Sequence, residues 1–166
     1  MSGGNHTNGA AGVVLVCYDG SEDARAAIET VADVAANHEI VVACFWQGLA
    51  DVANRYAMSL LDIIQDPASI NEREQARAVD VADEGADIAR SLGLTAEARA
   101  PEAHGGLDDA INEFADEIDA HLVVIGSRGR SSVSSALLGD VSHDVVQRAR
   151  RPVLVVPGRT LAERRR

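Results

Sequence analysis

The chain reads as a parallel α/β domain with helices on both faces of its sheet, and three observations point there. Short continuous apolar runs recur, VVLVC at 13–17, IVVACFW at 40–46, HLVVI at 121–125 and PVLVV at 152–156, the composition of strands buried on two faces. Between them lie longer segments whose apolar residues repeat at helical spacing. Strand and helix patterns also alternate along the chain, which builds a doubly wound sheet rather than hairpins. With 166 residues, 46% of them hydrophobic, the chain can bury one such core and not comfortably two.

Residues 1–12, MSGGNHTNGAAG, carry too little apolar surface to offset their ordering entropy and are expected to form a disordered leader before a single domain at 13–158. The first strand, Val13 to Cys17, ends at Asp19-Gly20-Ser21, where Ser21 is placed to cap a helix that has Glu22 and Asp23 in its first turn. Ala24, Ala27, Ile28, Val31, Val34 and Ala35 form the apolar stripe of that helix. Asn37-His38 breaks it, and Ile40 to Trp46 is the second strand. The stretch from Leu49 to Ser69 reads as a variable insert, with a short helix over Tyr56, Met58, Leu60, Leu61, Ile63 and Ile64 before Pro67 interrupts.

A long alanine-rich helix follows from about Ser69 to Ser91, with Ala76, Val79, Ala82, Ala86 and Ile88 among its apolar positions, and Gly93 closes it. Thr95 to Ala100 is a partly polar strand stopped by Pro101, suited to a sheet edge. Leu107, Ala110, Ile111, Phe114, Ala115 and Ile118 define the next helix, and His121 to Ile125 another buried strand. A glycine and serine loop over 126–139 leads to a helix over Val141–Ala149 and a last strand, Pro152 to Val156, followed by a basic tail at 159–166. Aromatic residues make up 3% of the chain, so Val, Ala, Leu and Ile must build the core.

The charge excludes whole classes of function. Net charge is −11, which repels nucleic acid and anionic membrane surfaces. All fifteen basic residues are arginine; without lysine there is no Walker lysine, no Schiff base and no receiver-domain lysine. The charge is also divided, −17 over residues 1–126 and +6 over 127–166, a pattern that fits either a solvated surface with a basic tail or a local cationic site for an anion. Cys17 and Cys44 sit within apolar runs and read as core residues, with no metal or redox pattern around them. No basic leader precedes an apolar segment and no run approaches a membrane span, so a soluble, cytoplasmic protein is expected.

The segment suited to chemistry is Gly126-Ser127-Arg128-Gly129, nine further residues, then Gly139-Asp140-Val141-Ser142, between a buried strand and a helix. Glycines admit oxygen atoms close to the backbone, exposed N–H groups donate, and the helix N-terminus adds its positive end. Arg128 and Arg130 would add charge. The same spacing equally suits a flexible loop with turn glycines, and Asp19 before Gly20-Ser21 equally suits a turn or cap. His143 would be able to reach a phosphate or simply face solvent. Neither GxGxxG nor GxxxxGK[ST] occurs, and no Ser-His-Asp spacing is present, so no catalytic residue is assigned.

VVLVCYDGSEDARAAI and DDAINEFADEIDAHLVVIGSRGRSSVSSALLGDVSHDVVQRARRPVLVV resemble the universal stress protein family over most of residues 13–156. The nucleotide-binding branch of that family has glycine, two residues, glycine, nine residues, glycine and a serine or threonine. This chain keeps Gly126, Gly129 and Gly139 and has Asp140 where the hydroxyl stands. The resemblance implies an adenine nucleotide alpha hydrolase-like fold with strand order 3-2-1-4-5, which brings Asp19 opposite Gly126 in a crevice at the switch point. It further implies ATP, with or without Mg2+, held by Asp19, Gly20 and Ser21 at the nucleoside, by Val42 or Ala43 near the base, and by the glycine loop, Asp140, Val141 and Ser142 at the phosphates. Asp140 would then repel a phosphate, or ligate a magnesium ion beside it while capping the helix from Val141.

Three functions follow from this reading: a nucleotide-binding stress-response regulator, a nucleotide-free interaction protein disabled by Asp140, and slow ATP hydrolysis without an evident general base. A homodimer through the edge strand Pro152 to Val156 is expected from its apolar composition, and the resemblance implies the same.

Overall fold

The elements, in a computed structural model that describes residues 12–55, 66–129 and 139–158, are β1 (Val13–Cys17), α1 (Glu22–Val34), β2 (Glu39–Ala43), α2 (Leu49–Arg55), α3 (Pro67–Ser91), β3 (Thr95–Arg99), α4 (Leu107–Glu117), β4 (Ala120–Gly126), α5 (Asp140–Arg148) and β5 (Val153–Val156). Five parallel strands lie in the order β3-β2-β1-β4-β5. The leader at residues 1–11, the insert at 56–65, the loop at 130–138 and the tail at 159–166 lie outside the described residues.

β1 is central and shows why its run is continuously apolar. Successive side chains point to opposite faces, and both faces are covered. Val14, Val16 and Tyr18 pack with Ile28 and Val31 of α1 and with Ala86 and Ala89 of α3. Leu15 and Cys17 pack on the other face with Ile111 and Ala115 of α4 and with Val145 of α5. Cys17 and Cys44 are free and buried, and burial, the largest cause, pushes the Cys17 thiol up to about 12, so it stays protonated and inert. Among the described residues no helix is long and apolar enough to cross a membrane.

Several boundaries differ from the sequence expectation. β2 stops at Ala43 because its partner β1 stops at the paired Cys17. The chain beyond then follows the segment after β3, with Cys44 N–H donating to Arg99 O at 3.0 Å and Trp46 bridging to Glu102. Pro67 opens a helix two residues before the expected start: Asp66 accepts from Ser69 N–H at 3.2 Å as the cap, and Pro67 occupies the first turn, where a missing N–H costs nothing. The insert contains a helix at Leu49–Arg55, and the short helix expected over Tyr56 to Ile64 lies outside the described residues. Val34 is 62% exposed, because the 100° step per residue sets it beside the line through Ile28, Val31 and Ala35.

α3 contains one feature that periodicity concealed. Gly85, in mid-helix, forgoes about 1 kcal/mol of helix propensity relative to alanine. A Cβ there would stand 2.6 Å from the Tyr18 ring and 2.8 Å from Val42 Cγ1. With Ala78, Ala82, Ala86 and Ala89 it forms a small-residue face that lets α3 lie close on β1 and β2. The Tyr18 hydroxyl, just before the candidate site, then donates to Glu84 Oε1 at 2.9 Å.

Candidate functional site

β1 and β4 are adjacent at the centre of the sheet, and the connections leaving them run in opposite directions to α1 and α5. A crevice therefore opens at their carboxyl ends, the position that the order reversal leaves uncovered. Asp19 stands on one side. Its Oδ1 accepts from Ser21 N–H at 3.0 Å, and Ser21 in turn caps α1 by accepting from Ala24 N–H at 3.2 Å. The glycine loop stands on the other side, so close that a Cβ on Gly129 would lie 2.9 Å from Asp19 Oδ2. Ser21 Oγ also reaches Arg128 O at 3.5 Å.

The loop is held from beneath by a group that the sequence reading passed over. Asp23, in the first turn of α1, is 5% exposed. Its Oδ2 accepts from Ser127 Oγ at 2.7 Å and from Arg128 Nε at 3.3 Å, its Oδ1 accepts from Arg128 Nη2 at 3.4 Å, and the Gly158 N–H donates to it as well. Burial alone would raise this carboxyl, but the bonds from Ser127, Arg128 and Gly158 outweigh it and hold Asp23 below the ordinary aspartate value. Gly126 has no room for a side chain, since a Cβ would meet Ala24 N and the Asp23 carbonyl carbon at 2.8 Å. The only sequence sign of Asp23 was an acid in a first turn, which favourable interaction with the helix dipole explains equally well.

A second set of bonds closes the loop onto α5. Gly139 N–H donates to Ser127 O at 2.7 Å, and Ser142 Oγ donates to Ser127 O at 3.0 Å and lies 2.9 Å from Gly139 O. Ser142 is thus a buried fastener. α5 begins at Asp140 with Gly139 as its cap residue and no side-chain cap bond, so Asp140 is not the N-cap expected from sequence. Its side chain is exposed in the first turn, beside Val141, which is 37% exposed.

The predicted residues divide accordingly. Asp19, Gly20, Ser21, Gly126, Ser127, Arg128, Gly129 and Gly139 come together, with Asp140 and Val141 on the first turn of α5. Arg128 is engaged by Asp23 rather than extended as an unpaired cation. Val42 and Ala43 are fully buried, Val42 beneath α3 and Ala43 on the α4 and α5 face, so neither side chain faces the crevice and only their backbone ends near it. Arg130 lies outside the described residues.

Such a sheet, with an acidic turn and a glycine loop meeting where the strand order reverses, defines a doubly wound α/β domain, and that reversal is where folds of this class generally take their ligands. The model of the Universal stress protein family matches residues 12–157, and the chain belongs to that family. Universal stress protein G of Salmonella typhimurium is 48% identical over 52 residues, a stretch that covers 31% of this chain and only 36% of that relative's length. Universal stress protein YxiE of Bacillus subtilis is 28% identical over 147 residues, covering 86% of this chain and 97% of that protein. Among solved structures, a universal stress protein in complex with cAMP has a TM-score of 0.60 and 28% identity, over 90% of this chain and 98% of that one. The Archaeoglobus fulgidus universal stress protein in complex with dAMP also has a TM-score of 0.60, with 22% identity over 88% of this chain and 97% of that one.

Proposed function

We propose that this chain binds an adenine nucleotide in the crevice between the loops after β1 and β4 and acts as a dimeric stress-response regulator in the cytoplasm. The observation that carries the reading is the approach of Asp19 to Gly129, which sets a nucleoside-binding carboxylate against a glycine loop at the switch point. The two structural relatives solved with cAMP and dAMP support adenine as the base. The chain's own donors for a phosphate are the first-turn N–H groups of α5, which have no intrahelical partner. A magnesium ion accompanying ATP would find the exposed carboxylate of Asp140 on the same turn.

Calorimetric titration with AMP, cAMP and ATP tests the reading. At least one should saturate below millimolar concentration. Asp19→Ala should weaken that ligand about ten- to hundredfold, the loss of a charge-assisted hydrogen bond of about 1.5–3 kcal/mol. Absence of saturation by all three at millimolar nucleotide refutes it. That outcome would favour the second reading, an interaction protein without nucleotide, which has its own observation: Gly139 N–H, Ser142 Oγ and Arg128 are all engaged inside the loop.

Dimerisation is proposed through β5, an edge strand whose Val153, Leu154 and Val155 are only half-buried. Val155→Asp should sediment as a monomer at concentrations where the parent chain is a dimer, and an unchanged dimer would rule out this edge.

A further inference from the structure

Three metal-binding side chains meet away from the crevice, beyond the ends of β2 and β3. Asp51 lies in the first turn of α2, and Glu102 and His104 in the connection between β3 and α4. His104 Nδ1 is 3.2 Å from Asp51 Oδ2 and its Nε2 is 3.9 Å from Glu102 Oε2. One ligand atom from each residue lies within 4.8 Å of the other two.

The backbone, not the three side chains, holds these segments together. Ala103 N–H donates to Trp46 O at 2.7 Å, Trp46 N–H to Pro101 O at 3.2 Å, and Gln47 Nε2 to Gly105 O at 3.0 Å. Leu49 N–H, at the start of α2, is fixed by Asn71 Oδ1 at 2.8 Å. Glu102 Oε1 lies over buried Gly48, where a Cβ would come within 3.0 Å of it. Donors from distant parts of the sequence are therefore already gathered, which lowers the ordering cost of binding.

The charge pattern differs from the acid clusters around it. Asp23 is paired with Arg128, Asp108 and Asp109 with Arg148, and Asp116 with Arg150 and Arg151. Among the described residues, Asp51 and Glu102 instead share a single imidazole, which has a lone pair to give. Two carboxylates and one imidazole suit a borderline transition ion better than all-oxygen Mg2+ or Ca2+.

We propose that Asp51, Glu102 and His104 bind one divalent first-row transition ion of the Zn2+ class, with water completing its coordination. Ligand bonds of about 2.0–2.2 Å put neighbouring donors roughly 3.3–3.6 Å apart in a tetrahedron, so donors that lie within 4.8 Å of one another must draw in by about 1 Å, with a single ring nitrogen of His104 on the ion.

The test is titration of the chelator-stripped chain with Zn2+ alone against a chromogenic chelator, with Co2+ absorption as a report of coordination. One ion should bind per chain. Asp51→Asn and His104→Ala should each weaken it by at least about tenfold, the smaller cost seen when even a supporting partner of a metal ligand is lost. His38→Ala, in the His38–His121 stack at the amino end of β2, should leave it unchanged. Zn2+ should raise the melting temperature of the parent chain more than that of His104→Ala, with equal metal-free values. Equal affinity in the parent and His104→Ala overturns the site, as does an equal loss in His38→Ala, which would assign the binding to surface imidazoles in general.

Discussion

Asp23→Ala should lower the melting temperature by roughly 10 °C, the largest stability loss expected from a single polar substitution in this chain. The variant leaves Ser127 Oγ buried without its acceptor and strands the Arg128 guanidinium. Removing one partner of a buried pair costs about 3–5 kcal/mol. Arg128 is 27% exposed and can turn toward water, so the lower end, about 3 kcal/mol, is the better expectation here. A domain of this size converts about 1 kcal/mol into roughly 3 °C. Thermal unfolding followed by circular dichroism measures it, and a loss under about 1 kcal/mol, the usual range for a surface substitution, would mean that the loop is held by other contacts.

The same group fixes the sign of a pH effect. Asp23 is held below the ordinary aspartate value in the folded state, so its contribution is fully present above about pH 4, the unfolded value, and is lost as pH falls through the folded value. Asp23→Asn removes the titration while keeping the shape. The stability gap between parent and Asp23→Asn, from urea unfolding, should therefore be constant from pH 7 to about 5 and narrow below about 4. A gap that widens on acidification would contradict a depressed carboxyl.

The fold was legible because burial on two faces leaves an unmistakable mark. VVLVC, HLVVI and VLVV can be continuous only where helices cover both sides, and helix-period segments between them supplied those helices. Boundaries were less legible wherever the determining partner is distant. Nothing in FWQG tells β2 to stop at Ala43; the end of β1 does. Pro67 carried two meanings, breaker and first-turn residue, and Asp66 decided between them. At the site, the glycine spacing and Asp19 were readable as a pattern, whereas the role of Asp23 was not, because its partners Ser127, Arg128 and Gly158 are over a hundred positions away. At Val42 and Ala43 the sequence did not show which part of the residue meets the crevice: both side chains are buried in the core, which leaves the backbone at the end of β2 as the group to approach a base.

Replacing Asp140 by serine should tighten ATP binding in the absence of magnesium about five- to thirtyfold. A carboxylate 4 Å from a phosphate oxygen costs about 4 kcal/mol at an effective dielectric of 20. Asp140 is exposed, so solvent reduces that to about 1–2 kcal/mol, which sets the expected factor. The gain should follow ligand charge, largest for ATP, smaller for AMP, smaller again for cAMP with its single negative charge, and absent for adenosine. It should also shrink as sodium chloride is raised, since the repulsion is between exposed charges. Magnesium reverses the comparison: if Asp140 ligates the ion, Mg2+ should strengthen ATP binding to the parent chain more than to Asp140→Ser. Helix stability sets a small opposing effect, because an acid in the first turn of α5 contributes about 0.3–1 kcal/mol that serine gives up. Calorimetric titration at two salt concentrations separates these contributions. Equal ATP affinities for parent and variant at low salt, with and without magnesium, would place the phosphates away from the first turn of α5 and return the charge of Asp140 to a purely helical role.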